Sequence, residues 1–225
     1  MSLFFSRLKL SQAPSACALD AILNPKEDGK RMDAHHRLLW AVFADRADRE
    51  RDFLWRDEGG SKFLTLSARK PAASELFAFS DVDVKEFAPD LAVGDRLAFT
   101  LRANATRDRK GKGRVDVVMD ALHSVPPDER AEARMTIADR EGRAWLERQG
   151  ARCSFRAEQV AVADYSVVAL PWYRGKRSGQ PQFGILDMTG VLTVTDPGAF
   201  LAAVASGFGR ARAFGCGLML IRRMP

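Results

Sequence analysis

The chain has 225 residues, of which 46% are hydrophobic and 28% charged. That balance excludes a disordered or collagen-like chain, and no apolar run reaches the roughly 18 residues of a membrane helix. The formal net charge of +6 is uneven: residues 1–100 hold 15 Lys and Arg against 16 Asp and Glu, and residues 101–225 hold 20 against 13. A polyanionic partner docked mostly on the second half is expected.

Residues 3–10 alternate apolar and polar side chains, with a slip in phase near Arg7, and predict a first strand. Residues 22–32, with Asn24, Pro25, Asp28 and Gly29, read as a loop. Asp33 is the expected N-cap of a helix reaching residue 44, with His36, Leu39, Trp40 and Phe43 on one face. Residues 52–56 and 62–69 flank Gly59-Gly60 and predict a hairpin. A short helix is expected over 72–78, then a strong strand over 96–103. The order β-α-β-β-α-β is the ferredoxin-like pattern.

Residues 104–114 (NATRDRKGKGR) are polar, basic and glycine-containing, and the boundary between the halves is placed there. A long amphipathic, solvent-facing helix is expected over 128–148, with Gly150 just beyond its end. Strands follow over 153–157, 160–170 and 183–194, with a basic tip, YRGKRSGQPQ, at 173–182. Asp196-Pro197 opens a short helix to residue 206, and residues 218–221 form a last strand. The second half thus repeats the pattern, its first strand only faintly visible over 114–118. The fold class is α+β: two tandem ferredoxin-like (RRM-like, βαββαβ) domains, residues 1–107 and 108–225.

Cys17, Cys153 and Cys216 share no metal-ligand spacing, and their odd number fits a reducing compartment. The apolar stretch in MSLFFSRLKLSQ is too short and interrupted for a signal peptide. A cytoplasmic location is expected, with no metal, no cofactor and no membrane partner.

Gly207, Gly209, Gly215 and Gly217 put four glycines in eleven positions, with Arg210 and Arg212 between them. Exposed backbone N–H groups beside two arginines would suit phosphate oxygens. The string GFGRARAFGCGLMLI, residues 207–221, resembles the C-terminal glycine-rich loop of CRISPR repeat-processing endoribonucleases, and more narrowly the CasE branch of type I-E Cascade. HRLLWAVF (36–43), RDFLWR (51–56), LRANATR (101–107) and FGILDMTGVLTVTDP (183–197) are similar to segments of that branch in the same order. The resemblance implies metal-independent cleavage of precursor crRNA at the 3′ base of a repeat hairpin. There the 2′-hydroxyl attacks the adjacent phosphate, leaving a 5′-hydroxyl and a 2′,3′-cyclic phosphate. It also implies that the protein stays bound to the crRNA with the other Cascade subunits.

That reaction needs proton acceptors and donors near neutrality, which histidine supplies. The chain has His35, His36 and His123. The resemblance selects His36 as the catalytic histidine. His35, about 100° further round the helix, would face elsewhere, and His123 is expected in a loop. Relatives often carry a tyrosine where Asp33 stands, so no tyrosine role transfers. The candidate RNA-binding residues are Arg37, Arg102, Arg107, Arg109, Lys110, Lys112, Arg114, Arg174, Lys176, Arg177, Arg210 and Arg212, with Trp172 and Tyr173 as stacking candidates. The alternative is a non-catalytic module of two RRM-like domains, against which stands the missing ribonucleoprotein string.

Overall fold

A computed structural model describes residues 2–44, 49–79, 83–111, 113–171 and 180–224. The chain divides into two units: Met1–Pro89 with Ala169–Gln182 and Arg212–Gly215, and Asp90–Val168 with Phe183–Ala211 and Cys216–Pro225.

In the first unit, strand β1 (Phe4–Leu10) sends Ser6, Leu8 and Leu10 inward. Its register against β3 is unbroken, so Ser6 occupies a core position and the suspected slip in phase is absent. Two short helices, α1 (Pro14–Ala18) and α2 (Asp20–Leu23), lead to α3 (Asp28–Phe43). The loop expected up to residue 32 is therefore partly helical. Asp33 lies inside α3 rather than capping it, and the acidic first-turn residue is Asp28. His35, Leu38, Leu39, Val42 and Phe43 form the buried stripe of α3, so His36 and Trp40 stand one position round from the core. Gly29 is required there: a Cβ would lie 1.9 Å from the Ala169 carbonyl oxygen.

The hairpin of β2 (Phe53–Gly59) and β3 (Lys62–Ser67) forms as expected. The short helix expected over 72–78 is not found. The chain instead enters β4 (Phe77–Ala78) and then β5 (Val84–Glu86), which pair with opposite ends of β1. Together they make a fourth strand in two pieces, giving the ferredoxin-like order β2-β3-β1-β4. Leu8, Leu39, Phe43, Trp55 and Phe63 fill the core.

Strand β6 (Arg96–Ala103) buries Leu97, Phe99, Leu101 and Ala103 in strict alternation. It opens the second unit instead of closing the first. The division consequently falls near residue 90, not 107. The expected strand over 114–118 is split between a two-stranded hairpin, β7 (Thr106–Arg109) with β8 (Gly113–Asp116), and helix α4 (Val117–Leu122) capped by the Asp116 side chain. Helix α5 (Arg130–Cys153) runs past Gly150 and ends at Ser154 in the left-handed region. Gly150 is a close-approach glycine, since a Cβ would meet the Phe155 carbonyl oxygen at 2.4 Å. Trp145 and Leu146 bury the inner face of α5, which is not wholly solvent-facing.

Strand β9 (Phe155–Ala169) is continuous where two strands were expected. Next come β10 (Gln182–Val194), α6 (Pro197–Ser206) and β11 (Met219–Arg223). Asp196 caps α6 through the Ala199 N–H, with Pro197 in its first turn as read from the sequence. The sheet order β11-β6-β10-β9 repeats the ferredoxin-like arrangement, so the molecule is a tandem of two such domains. Among the described residues no helix is long and apolar enough to cross a membrane.

Candidate active site

The first unit gathers a histidine, two arginines and two aromatic rings. Helix α3 presents His36, and Trp40 one turn later donates its indole N–H to His36 Nε2 at 3.4 Å. The Phe214 ring lies 5.9 Å from the imidazole, between centroids. A donor at Nε2 makes that nitrogen the acceptor and puts the proton of the neutral ring on Nδ1. Nδ1 is buried with no hydrogen-bond partner. Burial holds the His36 pKa below the ordinary histidine value, Arg51 and Arg37 push the same way, and Asp33 opposes them. A neutral imidazole is therefore the resting form near pH 7.

Arg51 stands just before β2. Its pKa is lowered by burial and by Arg212, which is itself lowered by burial. Arg212 opens a 3-10 turn, Arg212–Phe214. The Trp55 indole N–H donates to the Ala213 carbonyl at 3.1 Å and pins that turn. Gly215 follows with φ +77, and a Cβ there would press on the Trp55 ring at 3.2 Å. Glycine thus lets the turn lie against the indole.

His35 points into the core. It is 2% exposed, edge-on to Phe63 at 4.7 Å, with Nδ1 3.5 Å from Asp57. Only one of the two adjacent histidines enters the site, as their spacing implied.

The rest of the glycine-rich loop belongs to the second unit, and four of its amides are engaged within the protein. Phe208 N–H bonds Gly217 O, Arg210 N–H bonds Asn104 O, Gly207 N–H bonds Ala203 O and Gly217 N–H bonds Arg102 O. Gly207 and Gly217 therefore do not offer bare N–H groups to phosphates. Gly209, at φ +75, instead allows the Asn104 carbonyl to approach, where a Cβ would sit 2.5 Å away. Asn104 is held in turn through its amide, which donates to the Gly184 carbonyl at 2.8 Å.

The basic run is largely paired internally. Arg102 is forked onto Asp187 at 3.0 Å. Arg107 bonds Asp120 at 2.6 Å and Glu141 at 3.1 Å. Arg109 also bonds Asp120, and Arg114 bonds Asp108 at 3.1 Å. Arg37 bonds Asp33 on the outer side of α3. Lys110 and Arg210 are exposed. Lys112, Trp172, Tyr173, Arg174, Lys176 and Arg177 lie outside the described residues. Of the expected cations among the described residues, Arg37 acts on His36, and Arg212 acts on Arg51. Arg51, Trp40 and Phe214 were missed as site residues, although RDFLWR and HRLLW contain the first two. A charge before an apolar strand and a tryptophan on a helix carry no local signal of function.

Two ferredoxin-like domains, one presenting a neutral histidine among arginines and aromatic rings, define a class of protein suited to acid–base chemistry on a phosphodiester. The chain belongs to the CRISPR associated protein family, whose model matches residues 3–223. It is 29% identical over 190 residues to the Cascade subunit CasE of Escherichia coli K12, covering 82% of this chain and 88% of that one. Its fold matches Thermus thermophilus Cse3 bound to an RNA representing a pre-cleavage complex, with TM-score 0.70 and 23% identity over 99% of this chain and all of that one. It also matches Escherichia coli Cas6e, with TM-score 0.56 and 21% identity over 98% and 100% of the two chains.

Proposed function

We propose that this protein is an endoribonuclease that cuts precursor crRNA at the 3′ base of the repeat hairpin and remains on the product as a Cascade subunit in the cytoplasm. The observation that carries this reading is the neutral, half-buried His36 beside Arg51, in a chain whose relatives include an RNA-bound endoribonuclease and a Cascade subunit. A neutral imidazole accepts the 2′-hydroxyl proton. The 2′-oxygen attacks phosphorus and the P–O5′ bond breaks. The leaving oxygen is protonated in turn, leaving 2′,3′-cyclic phosphate and 5′-hydroxyl ends with no water consumed. The indole N–H of Trp40 fixes the tautomer with the basic lone pair on Nε2, and the substrate must displace that contact before Nε2 takes the proton. Exposed cations such as Lys110 and Arg210 serve the RNA backbone.

The test is incubation with cognate repeat RNA in EDTA. Wild type should cleave, and His36→Ala should slow cleavage by about 100-fold or more with binding retained. A 2′-deoxy nucleotide at the scissile position should block the reaction. Full-rate cleavage by His36→Ala would remove His36 from the mechanism.

A further inference from the structure

We propose that the first unit carries a second polyanion site, a cradle built by Arg7, Lys9 and Lys62 that takes the phosphates of single-stranded RNA. It lies on the sheet face turned away from α3, and so away from His36. Along β1, Ser6, Leu8 and Leu10 point to the core under α3, so Arg7 and Lys9 point the other way, where both are exposed. The register sets Lys62 of β3 directly opposite Lys9, with Ala78 of β4 on the other side of Lys9. Side chains so paired share a face, with Cβ atoms about 5 Å apart. Two like charges in that relation repel and destabilise the sheet. Among the described residues neither lysine has a carboxylate partner. Lysines on edge strands commonly keep a sheet from pairing with other chains. That explanation fails here, because β3 lies between β2 and β1, and β1 lies between β3 and β4. An anion held between the two ammonium groups removes the repulsion.

The space for that anion is present. Arg7, Lys9, Lys62, Ala78 and Asp83 line a cavity of about 270 Å³. The short side chain of Ala78 leaves it open beside Lys9. Asp83 accepts from Arg7 Nε at 3.0 Å and Nη2 at 2.7 Å, which fixes the guanidinium at the wall. That pair is internally neutral, so the two lysines are the uncompensated charges of the cavity.

The row of side chains favours a polynucleotide over an acidic peptide. Arg7 and Lys9 stand two residues apart on an extended strand, about 6.8 Å, close to the spacing of successive phosphates in an extended nucleic acid strand. The same row continues to Phe5, which is half-buried, with Lys85 of β5 directly opposite. An aromatic ring in line with cations on an interior strand suits an unstacked base and its flanking phosphates. A duplex stem keeps its bases stacked and cannot use the ring. A peptide would engage the cations alone.

The experiment titrates an unstructured oligouridine RNA and, separately, inorganic phosphate into the full chain. Lys9→Gln with Lys62→Gln should weaken oligouridine by about tenfold and flatten the slope of log affinity against log salt by about 1.4, two single-strand phosphate contacts. Phosphate should raise the melting temperature of wild type and not of the double variant. Phe5→Leu should weaken oligouridine while leaving the phosphate response in place. Without ligand, Lys62→Gln should melt at or above the wild-type temperature, because it removes the repulsion; a clear fall would contradict the like-charge pairing. Oligouridine affinity and salt slope unchanged in the double variant overturn the cradle. Competition by polyglutamate equal to that by RNA overturns the choice of a polynucleotide. A repeat hairpin that wild type fails to cleave overturns the nuclease reading and leaves the cradle standing.

Discussion

Replacing Trp40 by Phe should raise the pKa of His36. The indole N–H donates to His36 Nε2 and so stabilises the neutral ring, because a protonated Nε2 would face another donor. A typical hydrogen bond contributes about 0.5–1.5 kcal/mol, and the 3.4 Å length places this one at the lower end. At about 1.4 kcal/mol per pKa unit, the upward shift is about 0.4 unit. Burial, Arg51 and Arg37 still hold the ring down in the variant and Asp33 still raises it. A general base works deprotonated, so the acid limb of the cleavage profile should lie below the ordinary histidine range in wild type and move up in the variant. The direct assay is the NMR titration of His36 in the RNA-free protein; single-turnover cleavage between about pH 5 and 8 is the functional companion. A pKa that stays put or falls in Trp40→Phe would refute the donor role of the indole. A purely structural tryptophan would lower the rate at every pH without moving the limb.

Trp55→Phe should destabilise the protein by about 1–3 kcal/mol in urea unfolding, because it strands the Ala213 carbonyl. It should also slow cleavage beyond that stability loss, since the turn carrying Arg212 loosens. Gly29→Ala forces a methyl to 1.9 Å from the Ala169 carbonyl and should cost about 1–3 kcal/mol; an unchanged melting temperature would contradict that approach. Arg107→Ala should cost about 1–2 kcal/mol, because Asp120 is left with Arg109 and Glu141 with Arg140, with RNA affinity nearly unchanged.

Both ferredoxin-like patterns were legible in the sequence, but their partition was not. Alternation in RLAFTLRA identifies a two-faced strand and says nothing about which sheet takes it. The true fourth strand of the first unit escaped because β4 and β5 have only two and three residues, too few to show a period. Gly150 misled because glycine terminates helices and also admits close neighbours, and only tertiary packing distinguishes the two. His36 was reachable because a motif surrounds it, whereas Arg51 was not. Arg51 acts on His36 through the approach of the β2 entry to α3, and a tertiary approach leaves no trace in the residue string.

The same distinction bears on the net charge. Residues 102–114 contain six Lys and Arg against Asp108 alone, which on counting suggests a strong RNA track. In the fold, Arg102, Arg107, Arg109 and Arg114 are matched to Asp187, Asp120, Glu141 and Asp108. A cation already paired within the protein displaces few counterions when it meets a phosphate. With about 0.7–0.9 in the slope of log affinity against log salt for each phosphate neutralised, six independent contacts would contribute about −4 to −5. If the four pairs persist in the complex, this run contributes no steeper than about −2, from Lys110 and Lys112. Converting both lysines to Gln and repeating the salt titration on the 2′-deoxy repeat reads that share directly. A residual contribution of about −3 from the four arginines, exposed by their further replacement, would mean that the pairs open to receive RNA. The charges that act on His36, namely Arg51, Asp33 and Arg37, all lie in the half whose net charge is slightly negative, so local placement rather than excess charge sets the state of the imidazole.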